Sequence, residues 1–317
     1  MQLTIIGCHA ATPRKNSQTT AQLLEIKGHL MLIDCGEGTQ MQLRKLGVKF
    51  ARIQHIFISH LHGDHFYGLI GLISTFRLLG REANLHIYGP KGIKEIISLQ
   101  LKLAKSWTDY ALYFHELDGT GSVIVFEDEK VKVSTVPLNH RVYTNGYFFE
   151  EKIGPRKINS EAAKVHGVEV CDMENLKAGK DYLNTAGELI SNAELTLDPE
   201  PPKSYAFCSD TAYKEDIVPI IANATMLYHE STFLKNHLDL AAKTKHSTAG
   251  QAAQIAAKAQ VGGLILGHYS TRYGDLNAFV DEAQTSFQNV YLAEDNKVFE
   301  KQINESLTKL HIIKKSK

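Results

Sequence analysis

The run His60-Leu61-His62-Gly63-Asp64-His65, placed directly after the apolar stretch 53–59, constrains this chain more than any other feature. Neutral imidazole and carboxylate are ligands for zinc and similar divalent ions, and hydrolytic zinc sites leave one coordination position open for water. Crowding three imidazoles and a carboxylate into six residues makes sense where a cation holds them together. His60 and His62 are two apart, so extended backbone would put both on one face. Asp64 and His65 fall at the start of a helix predicted over 66–79 and aim at a neighbouring point. Two ligand pairs aimed at adjacent points predict two metals.

A two-metal site needs ligands from elsewhere, and the sequence offers them at strand ends. His140 follows the predicted strand 131–137, Asp210 follows 205–209, and His268 follows 264–267. Polar groups that end apolar strands are where α/β proteins expose their working residues. The remaining pattern supports that class. Strands are predicted at 3–7, 22–26, 29–34, 85–88, 123–126, 146–149 and 226–229, with helices at 38–46, 91–103, 247–259 and 276–287. His55, His86, His115 and Trp107 are read as packing or surface groups.

Charge and cysteine content narrow the function. Lys and Arg number 35 against 35 Asp and Glu, so any basic patch for nucleic acid must be local. Cys8, Cys35, Cys171 and Cys208 form no Cys-x-x-Cys pair, which predicts free thiols in a reducing compartment. The amino-terminal residues carry no signal-peptide pattern, and no apolar run approaches the ~20 residues that span a bilayer. The expectation is a cytoplasmic protein with no membrane partner. Its 317 residues suit a single domain with a sizeable core. The segment 150–203 breaks the pattern: it is polar, rich in glycine, and ends in Asp198-Pro199-Glu200-Pro201-Pro202. It is either a linker or an inserted arm, and 161–170 and 185–190 could form small elements of its own.

Further motifs then become informative together: Asp34-Cys35-Gly36-Glu37-Gly38-Thr39, Ser209-Asp210-Thr211, His229-Glu230-Ser231-Thr232-Phe233, Lys245-His246-Ser247-Thr248-Ala249 and Ser270-Thr271-Arg272-Tyr273. With the histidine run, they resemble the metallo-β-lactamase superfamily and, within it, the ribonuclease Z family of transfer-RNA 3′-processing endonucleases. The resemblance extends from the first strand to about Tyr273, interrupted by 150–203. It implies an αββα sandwich of two mixed sheets flanked by helices, with 150–203 as an inserted arm that grips the transfer RNA. It also implies two Zn²⁺ per subunit, one on His60, His62 and His140, the other on Asp64, His65 and His268, with Asp210 bridging. Manganese or cobalt would suit the same ligands.

The implied reaction is hydrolysis of precursor transfer RNA after the discriminator base, leaving a 3′-hydroxyl on the transfer RNA. Asp64 would hold and deprotonate the attacking water. The ribose 3′-oxygen is a poor leaving group and calls for a general acid, for which His246 is the candidate, its pKa raised by Glu230. Ser247 and Thr248 cap the following helix, whose free backbone N–H groups would attract a phosphate. Arg272 would contact a flanking phosphate or the terminal nucleotide, and Asp34 would orient a metal-bound imidazole. A homodimer is implied, the arm of one copy presenting RNA to the other's site.

Two places depart from the family pattern. The arm keeps Leu176-Lys177-Ala178-Gly179 without a preceding Gly-Pro-rich element, and the first loop, Thr12-Pro13-Arg14-Lys15-Asn16-Ser17, is compact. The basic tail from Lys309 to Lys317 is read as a frayed terminus that could touch RNA. The alternative readings are a hydrolase of small phosphodiesters or other esters, which the insertion of about 50 residues disfavours, and a non-catalytic RNA-binding scaffold, which would have lost ligands that this chain keeps.

Overall fold

Runs of four to seven apolar residues bounded by turns form the strands, and their pairing order decides which strand ends meet. The computed structural model describes residues 1–12, 15, 17–300 and, as backbone, 311–313. The first sheet holds β1 (Gln2–Gly7), β2 (Ala21–Ile26), β3 (His29–Ile33), β4 (Ile53–Phe57), β5 (Leu85–Pro90) and β6 (Leu112–Leu117), extended past β1 by the late strands β18 (Val298–Glu300) and β19 (His311–Ile313). The second holds β7 (Ile124–Glu127), β8 (Val131–Pro137), β9 (Asn145–Glu151), β14 (Ser204–Cys208), β15 (Met226–Glu230), β16 (Leu264–Gly267) and β17 (Val290–Leu292), in the order β17-β16-β15-β14-β9-β8-β7. Both are mixed: β3 to β6 run parallel, as do β14 to β17, while the hairpin strands pair antiparallel.

The parallel strands read as near-continuous apolar runs because both of their faces are covered. Between the sheets, Leu3, Ile5, Met31 and Phe57 pack on Val133, Phe149, Tyr205 and Phe207. Outside the first sheet, Ile56, Ile58 and Ile87 meet helices Thr39–Lys45, Leu69–Leu78 and Ile93–Leu103. Outside the second, Ala252, Ala253 and Ala256 let helix Ala249–Lys258 lie close, joined by Phe279 of helix Asn277–Gln284. The result is the expected αββα sandwich.

Three differences from the sequence reading have physical causes. The helix predicted at 66–79 is broken into Gly63–Phe66 and Leu69–Leu78. Gly68 N donates to Cys35 O at 2.9 Å, and a Cβ at Gly68 would lie 2.1 Å from Gly36 O. The chain therefore leaves the helical path to press on the turn after β3. Asp64 and His65 consequently sit inside the short first helix. β6 went unpredicted because Leu-Tyr-Phe-His-Glu-Leu is a half-exposed edge with no continuous apolar signal.

Segment 150–203 joins β9 to β14, which are antiparallel neighbours, and so leaves and re-enters the sheet at one point. It contains the two-residue strands β10 (Lys157–Ile158), β11 (Tyr182–Leu183), β12 (Leu189–Ile190) and β13 (Thr196–Leu197) with helices Ser160–Val165, Met173–Lys177 and Asn192–Leu195. Leu176, Tyr182, Ile190 and Leu195 form a separate small core. The buried Asn192 side chain ties it together, donating to Leu176 O and Lys180 O at 2.8 Å each. No helix among the described residues is long and apolar enough to cross a membrane. Pro13, Arg14 and Asn16 of the first loop, and the side chains of the basic tail from Lys309 to Lys317, lie outside the described residues.

Candidate metal centre

β4 ends at Phe57, and the chain turns through Ser59-His60-Leu61-His62 into helix Gly63–Phe66. Asp34 holds this turn from below, at φ +54° just past β3. One carboxylate oxygen accepts from Ser59 N at 2.7 Å; the other accepts from Ser59 Oγ at 2.9 Å and His65 Nδ1 at 2.7 Å. That pins His65 by Nδ1 and leaves Nε2 facing the site. Two more histidines are held in the same way. His140, after β8, bonds through Nδ1 to Lys245 O at 2.9 Å. His268, after β16, adopts φ +61° and bonds through Nδ1 to Thr232 Oγ1 at 2.9 Å.

The Nε2 atoms of His65, His140 and His268 are buried and have no hydrogen-bond partner. An orphaned, desolvated nitrogen is costly unless something else fills its lone pair. What these nitrogens surround is Asp210. Its Oδ2 lies 3.6 Å from both His60 Nε2 and His140 Nε2, and its Oδ1 lies 3.4 Å from His65 Nε2 and 3.1 Å from His268 Nε2. Asp64 Oδ2 closes the second group, 3.3 Å from His65 Nε2 and 3.5 Å from His268 Nε2. His62 Nδ1 sits 2.9 Å from His60 Nε2. Tetrahedral ligands at 2.0–2.1 Å from a zinc ion stand about 3.3 Å from each other. The donor spacings therefore suit a divalent metal ion held among these side chains.

Electrostatics points the same way. Burial pushes the Asp210 carboxyl up, but the charges of His268, His65 and His60 outweigh it and hold it well below the usual carboxylate range. Burial likewise raises Asp64, and the charges of His65 and His268 beside it override that downward. Burial opposes a charge on His65, yet Asp64, Asp210 and Asp34 around it raise its pKa well above normal. Burial and the neighbouring His65 depress His60, while burial lowers His62 and His140. A proton on His65 thus balances three carboxylates where a cation would take its place.

His246 stands beside this cluster, its ring stacked 5.4 Å from that of His268. Its Nδ1 is 2.7 Å from Glu230 Oε1. Burial would lower its pKa, but the charge and hydrogen bond of buried Glu230 raise it to about 9. Glu230 is saturated: Oε1 also accepts from Thr211 N at 3.0 Å, and Oε2 from Thr232 N at 2.9 Å and Thr232 Oγ1 at 2.7 Å. The Thr232 hydroxyl has a single proton, given to Glu230, so it accepts from His268 Nδ1–H and leaves His268 Nε2 with its lone pair.

One expectation needs correction. The helix after His246 was expected to offer free N–H groups to a phosphate. Thr248 is its cap, in a reciprocal box with Gln251, and Ala249 N and Gly250 N already donate to Phe233 O at 3.0 Å and to Glu282 Oε1 at 2.8 Å. Ser247 Oγ is spent on Thr211 O at 2.7 Å. Ser247 and Thr248 are buried and fix the position of His246; they present no donor to substrate. Arg272 is exposed, its guanidinium carbon 6.0 Å from the centre of the Phe233 ring. Sequence reasoning missed Ser59, Thr232 and the Lys245 carbonyl. Nothing in their residue types marks them; only the fold brings them to Asp34, His268 and His140.

An αββα sandwich with His and Asp clustered at its strand ends is the metallo-β-lactamase architecture. The short form of human tRNase Z superposes with a TM-score of 0.71 at 29% identity, covering 96% of this chain and all of that one. A metallo-β-lactamase-fold protein of Bacillus subtilis gives 0.65 at 19% identity over 94% of this chain and 98% of that one, a likeness of fold alone. A family model described as Anti-Pycsar protein Apyc1 matches residues 1–153. Ribonuclease Z of Bacteroides fragilis is 44% identical over 93% of this chain and 97% of its own length, and that of Cytophaga hutchinsonii is 42% identical over 94% and 95%. The chain belongs to the ribonuclease Z family.

Proposed function

We propose that this chain is a zinc-dependent endoribonuclease that removes the 3′ trailer of precursor transfer RNA, with two Zn²⁺ held as His60-His62-His140 and Asp64-His65-His268 and with Asp210 between them. The observation that carries this reading is the ring of histidine nitrogens, three of them orphaned, around the two oxygens of Asp210. When bound, such ions would supply Lewis acidity to the phosphodiester and lower the pKa of the attacking water. Asp64 holds the attacking water by accepting its hydrogen bond and takes its proton. Water adds to phosphorus and the P–O3′ bond breaks, giving a 3′-hydroxyl on the transfer RNA and a 5′-phosphate on the trailer. His246 protonates the departing 3′-oxygen from Nε2, since Glu230 occupies Nδ1. Asp34 and Thr232 keep His65 and His268 in the tautomer that presents Nε2. Arg272, exposed at the rim beside Phe233, contacts a flanking phosphate or the terminal nucleotide.

We read segment 150–203 as the arm that holds the transfer RNA body. Acidic residues outnumber Lys and Arg in it, and Arg156, Lys157 and Lys177 already pair with Asp198, Glu200 and Glu174. Its grip therefore depends on shape and on exposed apolar side chains such as Val165, Val170 and Leu189 more than on phosphates. A homodimer is supported by the apolar surface beside the metal loop, where exposed Tyr67 stands among Leu61, Ile70 and Ile96. A cytoplasmic location follows from the substrate.

The test is incubation of metal-replete protein with a precursor transfer RNA bearing a 3′ trailer, beside a small aryl phosphodiester, with product ends mapped. A single cut after the discriminator base, abolished in Asp64→Ala, is the expected outcome. Turnover of the small ester alone would overturn the RNA reading and leave a hydrolase of small phosphodiesters.

A further inference from the structure

Cys8, His9 and Asp295 form a second cluster of ligand-type side chains, separate from the residues around Asp210. One sulfur, one imidazole nitrogen and one carboxylate oxygen lie within 4.8 Å of one another. They come from opposite ends of the chain: Cys8 and His9 follow β1, and Asp295 lies in the turn between β17 and β18. Cys8 is fully buried, and its sulfur is 3.7 Å from Asp295 Oδ1. Sulfur at about 2.3 Å and oxygen at about 2.0 Å from a tetrahedral ion would stand roughly 3.5 Å apart.

Each donor is fixed by something other than the cluster. Asp295 Oδ2 accepts from Gln18 N at 2.7 Å. His9 bridges Thr19 and Tyr269 through its backbone, and its ring packs edge-on against Tyr269 at 5.7 Å. Burial raises the pKa of the Cys8 thiol well above normal, with Asp295 adding to it, and burial raises Asp295 to about 6. Cys8 as a neutral thiol donates to Asp295 Oδ1, and a metal ion would take the place of that proton between sulfur and oxygen.

We propose that Cys8, His9 and Asp295 bind a further divalent metal ion, of the zinc or cobalt kind, with a structural role. A soft thiolate beside an imidazole suits these ions and excludes magnesium and calcium, which take all-oxygen shells. The position gives it a task. His268 N donates to Cys8 O at 2.7 Å, and Asn296 N donates to Ile5 O at 2.7 Å. An ion here ties the end of β1 to the turn before β18 and steadies the backbone that carries His268.

Cobalt loading of the full chain tests this with a readout blind to the other centre. Only thiolate ligation gives an intense sulfur-to-cobalt charge-transfer band in the near ultraviolet, and the residues around Asp210 include no cysteine. Titration of metal-free protein with Co²⁺ should produce that band, with up to three equivalents bound per chain. The band should vanish in Cys8→Ser, weaken in affinity by tenfold or more in Asp295→Asn, and persist in Cys171→Ser, which removes the exposed thiol. No band in folded wild-type protein at saturating cobalt would overturn the proposal whatever the variants do. So would a band lost in Cys171→Ser, or one unchanged in both Cys8→Ser and Asp295→Asn.

Discussion

The region around Asp210 and the segment 150–203 are built on opposite principles. Around Asp210, nearly every polar side chain is buried and doubly held: Asp34 fixes Ser59 and His65, Glu230 fixes Thr211, Thr232 and His246, and Thr232 fixes His268. Segment 150–203 rests on a small core of Leu176, Tyr182, Ile190 and Leu195 with buried Asn192 beside it, while Val165, Val170 and Leu189 stand in solvent. A centre that places reacting atoms tolerates little error, so its supports are redundant. A segment held by so small a core can open locally at little cost to the rest of the fold. Damage should therefore spread from the first region into chemistry and stay local in the second.

The largest effect comes from removing metal. Chelation should abolish cleavage of both RNA and a small phosphodiester and lower thermal stability, while hydrogen exchange within 157–197 stays unchanged. Exchange rising there in step with the loss of metal would break the contrast. Next is His246→Ala, expected to cut kcat for RNA by about 10²–10⁴-fold with metal content intact. Metal lost in proportion would remove the general-acid role.

The same residue sets a pH limb. Its pKa is raised from an ordinary value near 6.5 to about 9, so the protonated, active form is complete at low pH and lost as pH rises through the folded value. Bound cations push that value down, so kcat should fall on the alkaline side at or below pH 9, and this limb should be absent in His246→Ala.

Thr232→Val sharpens the comparison from inside the centre. It removes the acceptor for His268 Nδ1 and one donor to Glu230, and should lower metal affinity or activity by about 10–100-fold. The alkaline limb should also shift, which a general loss of packing would not produce.

The smallest effect on chemistry belongs to Asn192→Ala. Leu176 O and Lys180 O lose their donor, costing about 1–3 kcal/mol of local stability. Hydrogen exchange should speed up within 157–197 and KM for precursor transfer RNA should rise, with small-ester turnover unchanged. Because the segment is poor in free cations, its contribution to binding should show a shallow salt dependence. A steep one would place phosphate contacts there after all.

Much of the candidate centre was legible because residue type alone limits which side chains can hold a metal. His60, His62, Asp64 and His65 announce themselves by spacing, and His140, Asp210 and His268 by standing at the ends of apolar strands. The two sheets were legible for a similar reason: parallel strands covered on both faces leave unbroken apolar runs such as Leu264 to Gly267. Edge strands such as β6 carry no such run. The break at Gly68 arises from contact with Gly36, a residue 32 positions earlier, and no local pattern encodes it. The same holds for Thr232, Ser59 and the Lys245 carbonyl, ordinary groups made important by what lies next to them.

The sequence by itself showed the candidate donors, the alternation of strands and helices and the place of the insertion, because side-chain chemistry and hydrophobic periodicity are local properties; the αββα class and the grouping of the donors were what the family resemblance implied. Tertiary structure alone decided that Asp210 shows one oxygen to each histidine group, that the helix following His246 has no N–H to spare, and that Cys8, His9 and Asp295 meet. Those outcomes depend on distances between segments far apart in the chain, and only packing fixes such distances.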